Sequence, residues 1–249
     1  MKSPILFWFR RDLRLQDNPA FQNALEQGGA IIAVYIDDEE GEGEWKTGGA
    51  SKWWLHHSLV SLQTSLEKLD SRLIVRTGAS ADVLEDLCTE TGAESVYWNR
   101  RYEPSIIGRD KLIKQGLRDR GIQAESFNGS LLFEPHTIEN KQGRPFQVFT
   151  PYWRHCLAKG VAGNTSSRFK KPSNPEHWPK SMGLEDLELL PSTNWTDGFA
   201  ESWEPGEEGA IKSLKLFVKS AVDHYEAKRD FPDITGTSRL SPHLHFGEI

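Results

Sequence analysis

Ile5-Leu6-Phe7-Trp8-Phe9-Arg10-Arg11-Asp12-Leu13-Arg14-Leu15-Gln16-Asp17-Asn18-Pro19 is the stretch that decides the fold. Five apolar residues in a row, with no polar alternation, read as a strand covered on both faces. Asn18-Pro19 then starts a helix: Asn accepts from free N–H groups at a helix start, and Pro fits the first helical position. A buried strand that leads straight into a helix is the opening half of a parallel βαβ unit. Arg10, Arg11 and Arg14 lie in the turn between them, where salt bridges holding the turn are the simplest role.

Working outward, the pattern recurs. Short apolar runs stand at residues 30–36, 73–75, 96–98 and 124–127, mostly flanked by turn residues. Helical spacing joins Leu55, Leu59, Leu62, Leu66 and Leu69; Val83, Leu84, Leu87 and Cys88; and Ile106, Ile107, Ile113 and Leu117. The alternation predicts an α/β fold: a doubly wound, five-stranded parallel sheet within residues 1–130, its strands starting near 4, 30, 72, 95 and 123. Right-handed crossovers place the working loops at the strand C-termini. No G-x-G-x-x-G or Walker loop is present, so a dinucleotide or NTP site of the common types is not expected here. The acidic run from Asp37 to Glu44 reads as a solvated loop.

Residues 131–206 change character. Pro135, Pro145, Pro151, Pro172, Pro175, Pro179, Pro191 and Pro205 interrupt regular structure, leaving one short helix near residues 152–159. This stretch reads as an irregular interdomain linker. At Glu207 a strong helix begins, with Ile211, Leu214, Phe217, Val218, Ala221 and Tyr225 predicted on one face. No β pattern follows, so residues 207–249 read as the start of an all-α second domain. The chain is expected to be an N-terminal fragment.

Composition narrows the classes. A length of 249 residues, 37% hydrophobic and 27% charged, suits a globular protein. The net charge of −6 supplies no global field for nucleic acid, so any DNA contact must use a local patch. Cys88 and Cys156 form no disulfide framework and have no metal spacing, which fits a reducing cytoplasm. The N-terminus is too charged for a signal peptide or a membrane span. His243 and His245 are two apart, a poor spacing for a helical metal site, so no metal is expected.

The last stretch carries the chemistry: Tyr225-Glu-Ala-Lys-Arg229-Asp-Phe-Pro232-Asp-Ile-Thr-Gly236-Thr237-Ser238-Arg239-Leu240-Ser241-Pro242-His-Leu-His-Phe-Gly247. Ser241-Pro242 predicts a helix with Ser241 as N-cap. Hydroxyls, free N–H groups and a cation at a helix start suit a phosphate.

This segment and Phe7–Pro19 resemble the DNA photolyase/cryptochrome family, most of all its bacterial class I cyclobutane-dimer photolyases. Gly49-Ala-Ser-Lys-Trp-Trp-Leu-His-His-Ser58-Leu59 is similar to the family's first long-helix motif. Asn99-Arg-Arg-Tyr102-Glu103-Pro104 resembles its fourth-strand exit, and Val148-Phe-Thr-Pro-Tyr-Trp-Arg154 its linker helix.

The resemblance implies a Rossmann-like antenna domain, a linker, and the start of an all-α domain that binds flavin adenine dinucleotide (FAD). It implies that Tyr225 touches FAD, that Thr237, Ser238 and Ser241 bond its phosphates, and that Arg239 and Leu240 contribute through their backbone. Arg229 faces DNA or pairs with a neighbouring Asp. No catalytic residue is expected in this stretch of the family. The implied activity is that of a deoxyribodipyrimidine photolyase, a monomeric enzyme acting on damaged DNA. A cryptochrome photoreceptor is the alternative within the family, and a non-catalytic α/β nucleotide-binding module the alternative outside it. An antenna chromophore, deazaflavin or folate, is also implied. Residues 44–49 and Ser105-Ile106 show neither the His nor the Asn-Glu associated with folate-type members, and the two stay open.

Overall fold

A computed structural model describes residues 2–43, 46–161 and 170–249. Five strands form one parallel sheet: β1 (Ile5–Phe9), β2 (Ile31–Asp37), β3 (Leu73–Thr77), β4 (Ser95–Asn99) and β5 (Gln123–Phe127). Their order is β3-β2-β1-β4-β5, with Ile5 facing Ile31 on one side and Ser95 on the other. Each expected strand is present, within a residue or so of its predicted start.

The side chains of β1 show why the run is apolar throughout. Ile5, Phe7 and Phe9 pack on one face, against Phe21 and Ala24 of α1 (Pro19–Gln27) and Leu55, Leu59, Leu62 and Leu66 of α2 (Gly49–Glu67). Leu6 and Trp8 pack on the other, with Leu84 and Leu87 of α3 (Ser80–Thr91) and Ile113 and Leu117 of α4 (Pro104–Asp119). Period-two alternation therefore sends every residue of β1 into a core. Each fully buried Leu or Phe contributes about 1.5–3 kcal/mol relative to exposure. The helix start at Asn18 is as the sequence predicts. Its side chain accepts from Phe21 N at 3.1 Å, with Pro19 in the first turn.

Strand order reverses between β1 and β4, and a crevice lies past the C-termini of β1 and β2, with Arg101 beyond β4 on its wall. The three arginines of the first turn hold it. Arg10 pairs with Asp110 at 2.5 Å, and Arg11 reaches Glu42 and Glu103. Arg14 donates to three carbonyls, those of Asp17, Gly129 and Gly247.

The Pro-rich stretch wraps the sheet. Helix α5 (Phe149–Lys159) begins three residues earlier than the pattern predicts. Pro151 does not prevent this, because a Pro in the first turn removes only an N–H that would be unpaired anyway. Further on, Ile31 N donates to Ser173 O, and Met182 N donates to Val75 O, so the chain covers the outer edge of β3. Leu184, Leu187 and Leu189 then enter the sheet's core. After a short helix α6 (Phe199–Ser202) comes α7 (Glu207–Ser220), then α8 (Tyr225–Lys228) and α9 (Ser241–Phe246). Helix α7 stops at Ala221, where φ −130° and ψ −22° leave the helical region, so its apolar face does not run on to Tyr225. Ile211 and Phe217 are half-buried.

Candidate cofactor site

A cavity of about 280 Å³ lies between α6, α7 and residues 235–239. Helix α7 turns Lys212, Ser213, Leu216, Phe217 and Ser220 toward it, positions that share one helical face. Opposite them stand Thr235, Thr237, Ser238 and Arg239. Glu201, Trp203, Glu204 and His243 also stand on the wall.

The loop opposite α7 is held in an unusual backbone. Arg239 has φ +54°, in the left-handed region, where a non-Gly residue needs external support. Its guanidinium lies 4.1 Å from the Trp203 ring centroid and donates to Ser202 O at 3.3 Å. Leu240 N donates to Ser238 Oγ at 3.4 Å.

Of the sequence-predicted residues, Thr237, Ser238 and Arg239 line the cavity together. Tyr225 stands one layer back, with its ring edge-on to Phe217 at 5.8 Å. Arg229 is exposed, 5.9 Å from the Tyr225 ring centroid and 3.8 Å from Asp230. Leu240 and Ser241 follow just outside the lining. The expectation that Ser241 is the N-cap is corrected. Leu240 already has helical angles (φ −85°, ψ −5°) and takes the cap position, so Ser241 is the first helical residue and no side chain caps the turn.

The helix after Ser241 is anchored deep in the α/β unit. His243 Nδ1 and Glu248 Oε2 lie 2.5 Å apart, and both side chains are buried. The other oxygen of Glu248 accepts from Trp54 Nε1 at 3.0 Å and from Ser58 Oγ. Leu13 N donates to Phe246 O. Gly247 has φ +65°, and a Cβ there would stand 2.1 Å from Arg11 O, so only Gly allows the approach. At the near end of α7, Glu207 accepts from Leu15 N and Gln16 N at 2.9 and 3.0 Å. Burial raises its carboxyl above the usual range, against those two bonds.

A second, smaller cavity of about 60 Å³ lies in the crevice at the ends of β1 and β2, walled by Trp8, Arg11, Asp38, Arg101, Arg109 and Phe246. Charge there is closely matched. Burial pushes Asp38 up, but bonds from Ser80 and Gly41 and the Arg109 guanidinium at 3.2 Å hold it below the usual carboxylate range. Burial likewise opposes Glu103, yet its bond from Arg101 at 2.7 Å helps bring it down to about 2. Trp8 is 1% exposed, and its Nε1 has no partner among the described residues. The guanidinium of Arg10 lies 4.7 Å from the Trp8 ring. Part of the acidic loop and of residues 44–49, namely Glu44 and Trp45, lies outside the described residues.

Sequence reasoning missed Lys212, Trp203 and the His243–Glu248 pair. Lys212 sits among other lysines on α7 with nothing to set it apart, and Trp203 is far from the loop it supports. Glu248 carries no motif of its own. Among the described residues no cluster of His, Cys, Asp or Glu could hold a metal ion, and no helix is long and apolar enough to cross a membrane.

Comparison with known proteins fits this geometry. The chain is 45% identical over 248 residues to a deoxyribodipyrimidine photo-lyase of Agrobacterium fabrum, covering 99% of this chain and 51% of that one. It is 35% identical over 255 residues to Cryptochrome-1 of Arabidopsis thaliana, covering 98% of this chain and 36% of the relative. A solved bacterial class III photolyase from Agrobacterium tumefaciens superposes with a TM-score of 0.92 at 44% identity, over 100% of this chain and 51% of that one. The chain thus spans about half the length of the photolyases it matches. The DNA photolyase family model matches residues 5–174, more than half the chain, and the chain belongs to the DNA photolyase family.

Proposed function

We propose that this chain supplies the α/β unit and one wall of the flavin site of a deoxyribodipyrimidine photolyase, an enzyme that splits cyclobutane pyrimidine dimers in DNA under blue light. The observation that carries the reading is the placement of Thr237, Ser238 and Arg239 in one cavity of a chain 45% identical to such a photo-lyase. The residues fit the diphosphate of FAD: two hydroxyls and a left-handed backbone turn face the cavity, with two cations at its rim.

In this reading Thr237, Ser238 and Ser241 donate to phosphate oxygens, and Arg239 and Leu240 offer backbone groups. Tyr225, behind Phe217, closes the side of the site. Arg229, exposed and weakly paired, contacts the DNA backbone. Reduced flavin, when bound and excited by light, is the electron donor that opens the dimer. The protein positions it and keeps water out. The damaged bases must leave the stack to reach such a site, and weak pairing at a lesion lowers that cost.

The crevice at the strand ends suits a light-harvesting chromophore, deazaflavin or folate. Arg11, Arg101 and Arg109 line it and offer donors for such a ligand. The enzyme works as a monomer in a reducing cytoplasm, with Cys88 and Cys156 free.

A cryptochrome photoreceptor is the second reading, favoured by the 35% identity to Cryptochrome-1. One experiment separates the two. The intact natural protein is reduced, illuminated with blue light and assayed on DNA carrying cyclobutane dimers. Flavin absorption with light-dependent repair supports the photolyase, and flavin absorption without repair supports the cryptochrome. Absence of flavin bands defeats both, leaving the α/β nucleotide-binding module.

A further inference from the structure

We propose that Lys212 is the mobile counter-ion of the diphosphate held at Thr237 and Ser238, and that Glu204 holds its ammonium until the ligand arrives. The inference rests on the flavin-site reading above. A diphosphate brings negative charge into a partly closed cavity, and hydroxyls alone do not neutralise it. An anion taken from water without a compensating charge is strongly disfavoured.

The cavity has two cations on its wall, Arg239 and Lys212. Arg239 is committed. Its guanidinium lies over Trp203 and bonds Ser202 O, and moving it would undo the support for its own left-handed backbone. Lys212 is differently placed. It stands on the α7 face that lines the cavity, beside Ser213 and one turn before Leu216. Its ammonium bonds Glu204 Oε2 at 2.6 Å, but the two side chains are 74% and 58% exposed. Exposed pairs of this kind are weak and screened by salt. A four-carbon stem lets the ammonium swing from Glu204 to a phosphate on the same wall. Glu201 and Glu204 also line the cavity, so an entering anion meets two carboxylates, which makes the neutralising cation more necessary.

The test uses the intact natural protein freed of flavin. It is titrated with FAD and with riboflavin, which lacks the diphosphate, over a range of salt concentrations. Lys212→Gln is expected to weaken FAD about tenfold, leave riboflavin within twofold and flatten the salt dependence. Lys212→Arg restores most of the affinity. Glu204→Gln frees the ammonium, removes a like charge and tightens FAD at least twofold. The proposal is overturned if Lys212→Gln binds FAD as wild type does with the same salt slope, or if it loses both ligands equally. Unchanged or weaker FAD binding by Glu204→Gln also overturns it. If wild type binds no FAD, the flavin-site reading fails and this inference with it. If wild type binds and only the Lys212 variants are indifferent, the flavin site stands and Lys212 is excluded.

Discussion

In the α/β unit every residue of β1 is buried, whereas α7 buries only Gly209 and Ala210. The sheet makes its own interior by stacking two helices on each face. The helices that carry the candidate flavin site instead leave Leu216, Val218 and Leu244 exposed. The site is one wall of a cavity rather than an enclosed pocket. A few tethers hold this wall to the sheet: Glu207 on the turn after β1, Glu248 on α2, and Gly247 against Arg11. Stability and site geometry therefore answer to different residues.

The largest expected effect lies in the self-contained region. Leu59→Ala removes a fully buried side chain on α2 and should destabilise the protein by about 2–5 kcal/mol. Val218→Ala, on the exposed face of α7, should stay within about 0.5 kcal/mol. Denaturant titration of both variants measures the contrast directly, and equal losses would break it.

The tethers come next. Ser58→Ala leaves the buried Glu248 carboxylate short of one donor and should cost about 1–3 kcal/mol. Gly247→Ala forces a Cβ onto Arg11 O and a left-handed φ on Ala, a loss of more than about 1 kcal/mol. Hydrogen exchange should show α9 loosening in both variants while β1 and β4 keep their protection. Uniform loss of protection would mean that the two regions fold as one cooperative unit.

A smaller effect follows from charge at the strand ends. Glu103 titrates near 2 in the folded chain, below its ordinary value of 4.5, so the unfolded chain binds the proton first as pH falls. Its contribution is present above about pH 4.5 and is lost as pH drops toward 2. Glu103→Gln should flatten the acid limb of the stability curve in that window. Glu207 has the opposite sign. Burial raises its carboxyl, so its contribution is full below its ordinary 4.5 and declines as pH rises through the folded value. Glu207→Gln should therefore relieve part of the loss on that upper side.

How much of this was legible in the sequence also divides by region. The strands are short apolar runs with turns on both sides, and burial on two faces leaves that signal plain. Asn18-Pro19 marked its helix because the cap is local. Ser241-Pro242 carried the same local signal and misled, because Arg239 takes a left-handed backbone and Leu240, one residue early, takes the cap position. That backbone is supported by Trp203, a tertiary partner 36 residues away that no local pattern reveals. The hydroxyls of the loop were legible because they are contiguous. Lys212 was not, since its role depends on which face of α7 meets the loop.

The most direct test of the central claim is the FAD affinity of the intact natural protein carrying Thr237→Ala and Ser238→Ala together, compared with wild type by fluorescence titration. If these hydroxyls hold the diphosphate, the double variant loses at least about tenfold in affinity, given roughly 1 kcal/mol for each bond removed, while binding riboflavin as before. FAD bound equally well by the two proteins would contradict the claim and remove the phosphate site from this cavity.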